Sequence, residues 1–234
     1  MSTIFQQLDG LAEKLKAVLS QYEAVDEGHN FEWPNYVYKS STFRRAHLDI
    51  IDVRESKKLY MMHLCVFPHT NDPAPIYGFD IVAGPNKVTG AFHDFSPVSE
   101  GHPMADWFKK RVALYKWKRE RELPEWARKI FSPSIITATN IQTEDELERM
   151  CDLVFANLIY YLNNIGESTA NDYTSAHNWY CFNQKQNPHT PRVMEALGLD
   201  VESVKMFIKD CLFPELKGAK SIWTEVMAAY GAGK

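Results

Sequence analysis

A chain of 234 residues, 45% hydrophobic and 24% charged, carries enough apolar material for one sizeable core and has an ordinary soluble composition. Its formal charge of −4 gives no footing for nucleic acid or an anionic membrane surface. No apolar run is long enough to span a membrane, and Asp9, Glu13, Lys14 and Lys16 break the N-terminal apolar positions, so no signal peptide is read and a cytoplasmic protein is expected.

In chain order, Ile4, Phe5, Leu8, Leu11, Ala12, Leu15, Val18 and Leu19 recur at helical spacing and predict an opening amphipathic helix. Strand-like runs follow at Tyr36 to Lys39, Phe43 to Val53, Leu59 to Phe67, Ile76 to Val82 and Val88 to Phe95. Short turns separate them, Gly84-Pro85-Asn86-Lys87 being the clearest, which favours antiparallel meander pairing. From His102 a long basic helix to about Arg121 is predicted, with a second start at Leu123-Pro124-Glu125. Ser134 to Thr139 reads as a late or edge strand. Thr143-Glu144-Asp145-Glu146 has the form of a capping box opening a helix to about Asn164. Further helices are expected from about Ser175 and from about Val201. No repeat or linker divides the chain, so residues 1–234 are read as one domain. Strands followed by helices predict an α/β/α sandwich, a central antiparallel sheet flanked by helices on both faces.

Cys65, Cys151, Cys181 and Cys211 are scattered, with no CxxC pair. That spacing argues against a zinc site or a bound iron–sulfur cluster, and buried reduced thiols are expected. No GxGxxG follows a strand, so no dinucleotide site is read either. Electrons for any redox chemistry must come from outside the chain.

Alternation over Val88 to Phe95 puts Val88, Gly90, Phe92 and Asp94 on one strand face. A carboxylate among apolar neighbours loses hydration, its pKa rises, and it can hold a proton to hand over. The other reading of Asp94 is a cap for the Phe95-Ser96-Pro97 turn. His63 shares a face with Leu59, Met61, Cys65 and Phe67 and reads as a core histidine bonded to a backbone carbonyl. His93 alternates to the side opposite Asp94 and reads as structural or solvent-exposed.

Several blocks in order resemble the ferredoxin-dependent bilin reductases, which reduce biliverdin to open-chain pigments. They are Phe43-Arg44-Arg45-Ala46-His47-Leu48, His63-Leu64-Cys65-Val66-Phe67-Pro68, Tyr77-Gly78-Phe79-Asp80-Ile81-Val82-Ala83-Gly84-Pro85, Asp94-Phe95-Ser96-Pro97 and, later, Tyr180-Cys181, Asn187 and Thr190-Pro191-Arg192-Val193-Met194. The resemblance implies the same sandwich fold, with biliverdin IXα held between the sheet and the C-terminal helices. It implies no permanently bound cofactor and no metal, with electrons arriving singly from a reduced 2Fe–2S ferredoxin. It makes Asp94 the substrate-protonating acid and His63 its relay partner. Cys65, Tyr77, Phe79, Asn187, His189, Arg192 and Val193 become substrate-binding positions, with His189 and Arg192 offered to the propionates.

Departures from the family's pattern bear on the product. Counted without gaps, the phycocyanobilin-forming members carry a glutamate where this chain has Cys65 and a histidine where it has Tyr77. Reference pKa values of about 8.5 for a thiol and about 10 for a phenol make both weak proton donors. Loss of outer-vinyl reduction is therefore expected, and with it phycoerythrobilin by way of 15,16-dihydrobiliverdin, as in phage-type members. Pro188 stands where phycoerythrobilin-forming relatives carry an aspartate, which leaves 15,16-dihydrobiliverdin as an alternative product. Thr137 stands where some relatives have an arginine ahead of Thr139-Asn140. Phycocyanobilin and a non-catalytic bilin carrier are the remaining alternatives.

The basic run Lys109, Lys110, Arg111, Lys116 and Lys118 reads either as a solvated helix face or as a docking patch for an acidic ferredoxin. No heptad seam is present, and a monomer is expected.

Overall fold

The computed structural model describes residues 3–217. Residues 1–2 and 218–234 of the expected single domain lie outside the described residues. Seven strands form one sheet in sequence order, every neighbour antiparallel. They are β1 (Glu23–Ala24), β2 (Asn35–Lys39), β3 (Phe43–Val53), β4 (Leu59–Pro68), β5 (Ile76–Ala83), β6 (Val88–Ser96) and β7 (Ile136–Ala138). The predicted meander is therefore observed: β2 to β6 reach their neighbours through short connections, and β7 joins β6 after the long segment that carries α3 and α4.

Alternation divides the sheet into two coated faces. On one, Met62, Leu64 and Val66 of β4 and Tyr77, Phe79 and Ile81 of β5 pack into a core with α1 (Thr3–Leu19), α3 (Pro103–Val112) and α5 (Glu144–Leu162). The opening helix buries Ile4, Phe5, Leu8, Leu11, Ala12, Leu15 and Leu19, the stripe its spacing predicts. The other face carries Ile51, Cys65, Phe67 and Ile76 against α6 (Thr174–Gln184), α7 (His189–Leu197), α8 (Val201–Met206) and a π-helical turn, Phe207–Leu212. Two short helices, α2 (Arg54–Lys57) and α4 (Glu125–Arg128), fill connections. The result is the α/β/α sandwich. Among the described residues no helix is long and apolar enough to cross a membrane.

Three local expectations are corrected. The basic helix stops at Val112 rather than running to Arg121. Residues beyond it find a competing partner: Thr139 N–H donates to the Arg119 carbonyl, Arg121 N–H donates to the Thr137 carbonyl, and Glu120 bridges Ala138. A tertiary β-bridge thus overrides local helical pattern. Neither arm of the expected capping box forms: Thr143 starts α5 without a side-chain cap, and Glu146 accepts the Lys118 backbone N–H at 2.9 Å instead. Between the helices expected from about Ser175 and about Val201 lies a further one, α7, which His189 and Thr190 open behind Pro188 at the N-cap, with Pro191 in a first turn that needs no N–H from it.

Candidate active site

Strand register sets side chains of β3 to β6 in rows on the face toward α6. Asp49 pairs with His63, His63 with Asp80, and Asp80 with Phe92. Two residues along, His47 pairs with Cys65, Cys65 with Gly78, and Gly78 with Asp94. The rows thus bring five ionisable side chains besides Cys65 together on one face: Asp49, His63, Asp80, His47 and Asp94. A small cavity of about 30 Å³ lies over them, walled by His63, Gly78, Asp80, Phe92 and Asp94 from the sheet and by Phe131, Ile135, Tyr180 and Gln184 from the opposite side.

Burial controls the protonation of this face. Asp80, half-buried in the cavity wall, is pushed up to about 7 by desolvation, and no hydrogen bond offsets it. Asp49 is pushed up to about 8, chiefly by burial; Trp33 opposes the shift and Asp80 adds to it. His63 is pushed down to about 4 by burial and by Arg45, so it is neutral at pH 7, and its Nε2 is buried without a partner. The Phe213 ring meets it edge-on at 5.5 Å, and His47, also held neutral by burial, lies at 6.0 Å. Two acids whose pKa values are raised into the neutral range, flanking a neutral imidazole, can store and pass protons.

Asp94 is also on this face, but it is already engaged. It accepts from Ser132 N–H at 2.9 Å, from the Ser132 hydroxyl and from the Ser96 hydroxyl at 2.8 Å. Desolvation pushes it up to about 6, and these bonds work against that rise by favouring its charged form. The geometry favours the turn-capping reading, with Ser132 as the segment held. His93 lies on the opposite face, buried rather than exposed, with Nδ1 at 2.8 Å from the Gly78 carbonyl and Nε2 at 2.9 Å from Asn157 Nδ2.

The remaining expected positions divide. Cys65 is on the cavity face, buried, 3.8 Å from the Tyr180 hydroxyl, and its thiol is pushed up to about 12 by burial. The Tyr77 and Phe79 rings pack in the core on the other face, since Gly78 and Asp80 take the cavity side of β5, but Phe79 still borders the cavity between those two residues. The Tyr77 hydroxyl donates to the Val154 carbonyl of α5 at 3.0 Å. Asn187, His189, Arg192 and Val193 lie at the α6–α7 junction and do not wall the cavity: Asn187 accepts the His189 N–H at 3.0 Å, His189 and Arg192 are exposed, and Val193 packs with the α6-side core. Asp80, Asp49, His47, Tyr180 and Gln184 received no role from sequence. Asp80 had a visible signal, since it breaks the apolar run of β5 at the alternation position that shares a face with Gly78.

All four cysteines are free and buried. Among the described residues no group of three or more His, Cys, Asp or Glu is arranged for a metal ion.

Under the C-terminal helical layer the sandwich thus sets a row of acid and imidazole side chains able to hold and pass protons. The chain belongs to the ferredoxin-dependent bilin reductase family, whose model matches residues 2–214. It is therefore an oxidoreductase acting on bilins. It is 30% identical over 214 residues to a phycocyanobilin:ferredoxin oxidoreductase of Synechococcus sp. (strain CC9902), covering 86% of this chain and 82% of that one. The corresponding protein of Trichodesmium erythraeum is 27% identical over 190 residues, 77% and 76% of the two chains. A solved PcyX structure is similar at 36% identity and TM-score 0.66, over 90% of this chain and 99% of that one. Phytochromobilin synthase from tomato, solved in complex with biliverdin, shares the fold at 13% identity and TM-score 0.67, over 95% and 87% of the chains.

Proposed function

We propose that this protein reduces biliverdin IXα to phycoerythrobilin through 15,16-dihydrobiliverdin, taking electrons one at a time from a reduced 2Fe–2S ferredoxin, with no cofactor bound to the chain. The observation that carries the chemistry is the Asp49–His63–Asp80 row on the cavity face. A four-electron reduction of this kind consumes four protons. Asp80 delivers them to the pigment, and His63 and Asp49 behind it restore the Asp80 proton between electron arrivals. This assigns to Asp80 the acid role expected of Asp94 and supplies the second proton store that Pro188 cannot. The cavity of about 30 Å³ is far below the roughly 300 Å³ at which small-molecule pockets begin, so the α6 side moves outward to admit a tetrapyrrole.

The product follows from what the site lacks. Cys65 holds its proton too tightly to serve as an acid near neutral pH. Tyr77 points away from the pigment's side of the sheet. Neither can replace the acids that the resemblance links to outer-vinyl reduction. Anaerobic turnover with biliverdin IXα, reduced ferredoxin and chromatographic separation should yield phycoerythrobilin, with 15,16-dihydrobiliverdin appearing first. Phycocyanobilin as the end product would overturn the assignment at Cys65 and Tyr77, and a halt at 15,16-dihydrobiliverdin would overturn the second reduction.

Ferredoxin docking is placed on Lys109, Lys110 and Arg111 at the end of α3 and on Lys116 and Lys118 beyond it. The four lysines are exposed, and Leu114 stands 75% exposed among them. Such a patch speeds encounter with an acidic partner through long-range attraction, which salt screens. Turnover at limiting ferredoxin should fall about tenfold or more from low to high ionic strength. A rate that stays flat across salt would remove the patch from the electron path.

A further inference from the structure

We infer that Gln184 is the helix-side positioning residue for the pigment, its carboxamide oxygen accepting a ring N–H of the bilin. This rests on the bilin-reductase reading above. Tyr180 and Gln184 are four residues apart on α6, hence on one helix face, and both wall the cavity opposite Asp80 and His63. Gln184 Nε2 donates to the Tyr180 hydroxyl oxygen at 2.8 Å. That bond engages one N–H of the amide, turns the donor end toward Tyr180 and leaves Oε1, the acceptor end, for the cavity. The Tyr180 hydroxyl is itself pinned, beside Cys65 Sγ at 3.8 Å and over Gly78, where a Cβ would stand only 3.3 Å from it. Gly78 thus lets α6 approach the sheet next to Asp80, and Tyr180 fixes the direction in which Gln184 points.

The chemistry on the two sides is complementary. The sheet side offers a protonated acid and an imidazole. The helix side offers a neutral acceptor. A bilin presents pyrrole and lactam N–H groups, and a buried N–H needs an acceptor. A neutral amide meets that need without the charge of a carboxylate, which would lower the pigment's readiness to accept an electron.

Three variants test the assignment, with biliverdin as probe and two readouts, the Kd and the long-wavelength absorption band of the bound pigment. Gln184→Met keeps length and removes the acceptor. It should raise Kd about tenfold and shift the band, as loss of one hydrogen bond to a buried donor does. Gln184→Glu restores an acceptor and should recover most of the affinity. Tyr180→Phe frees the amide without removing it and should cost less than Gln184→Met. A Met variant with wild-type Kd and band overturns the inference. So does a Glu variant as weak as Met, or a Tyr180→Phe variant that reproduces the Met variant in full, since Gln184 would then only support Tyr180. Failure of the wild type to bind biliverdin is a different result: it overturns the bilin reading and this inference with it.

Discussion

Asp80→Asn should lower turnover by about 10²–10⁴-fold, the usual cost of losing a positioned proton donor, while biliverdin still binds. Asparagine keeps the size of the side chain and cannot give up a proton at the pH of the assay. The pH profile gives a second test. The active form of Asp80 is the protonated one, so kcat should fall as pH rises through about 7, where the carboxyl ionises. In the asparagine variant that limb disappears. Spectroscopy of the stalled enzyme should show a one-electron-reduced pigment, because ferredoxin can still deliver an electron that no proton follows. Undiminished product from Asp80→Asn would return the acid role to Asp94 or to another group.

Asp94→Ala should act on the fold more than on the chemistry. The carboxylate holds the Ser132 N–H, the Ser132 hydroxyl and the Ser96 hydroxyl in a buried setting. Its removal strands a buried N–H and breaks charge-assisted bonds, a loss of about 3 kcal/mol. At about 2–4 °C per kcal/mol for a chain of this size, the melting temperature should drop by about 6–12 °C. The next residues, Phe131 and Ile135, wall the cavity, so the affinity for biliverdin should weaken as well. Asp94→Asn retains acceptance at one oxygen and should fall between the alanine variant and the wild type. A melting curve unchanged in Asp94→Ala would refute the capping role, and a variant with wild-type stability but no turnover would make Asp94 the acid.

The sheet was legible because its code is local. From β2 to β6 the strands alternate and the connections are short, and sequential antiparallel pairing needs nothing else. Helix α3 was overrun for the opposite reason: what ends it is a bridge from residues 119–121 to β7, and no pattern within residues 103–121 announces that partner. The two candidate acids show the same divide. Asp80 and Asp94 are the same residue type, on neighbouring strands and one sheet face. Alternation says as much. What separates them is Ser132, 38 residues beyond Asp94, which saturates one carboxylate and leaves the other free. His63 was legible as a face residue, but its neighbours Asp49 and Asp80 depend on the register of two strand pairs. Tyr77 shows the limit of counting along the chain, since a gap-free count gives a position in a family and not the side of the sheet it faces.

The acid row also has a consequence for how the chain is made. Asp49, His63 and Asp80 lie on three consecutive strands, while Tyr180 and the segment to Phe213 that cover them come about a hundred residues later in synthesis. The N-terminal part of a chain folds first as it emerges. The half-built protein therefore holds the face of this row open, with Ile51, Cys65 and Phe67 bare beside it, until that later segment leaves the ribosome. For that interval the nascent sheet exposes apolar side chains that invite association, and Tyr180 and the segment to Phe213 are what cover them.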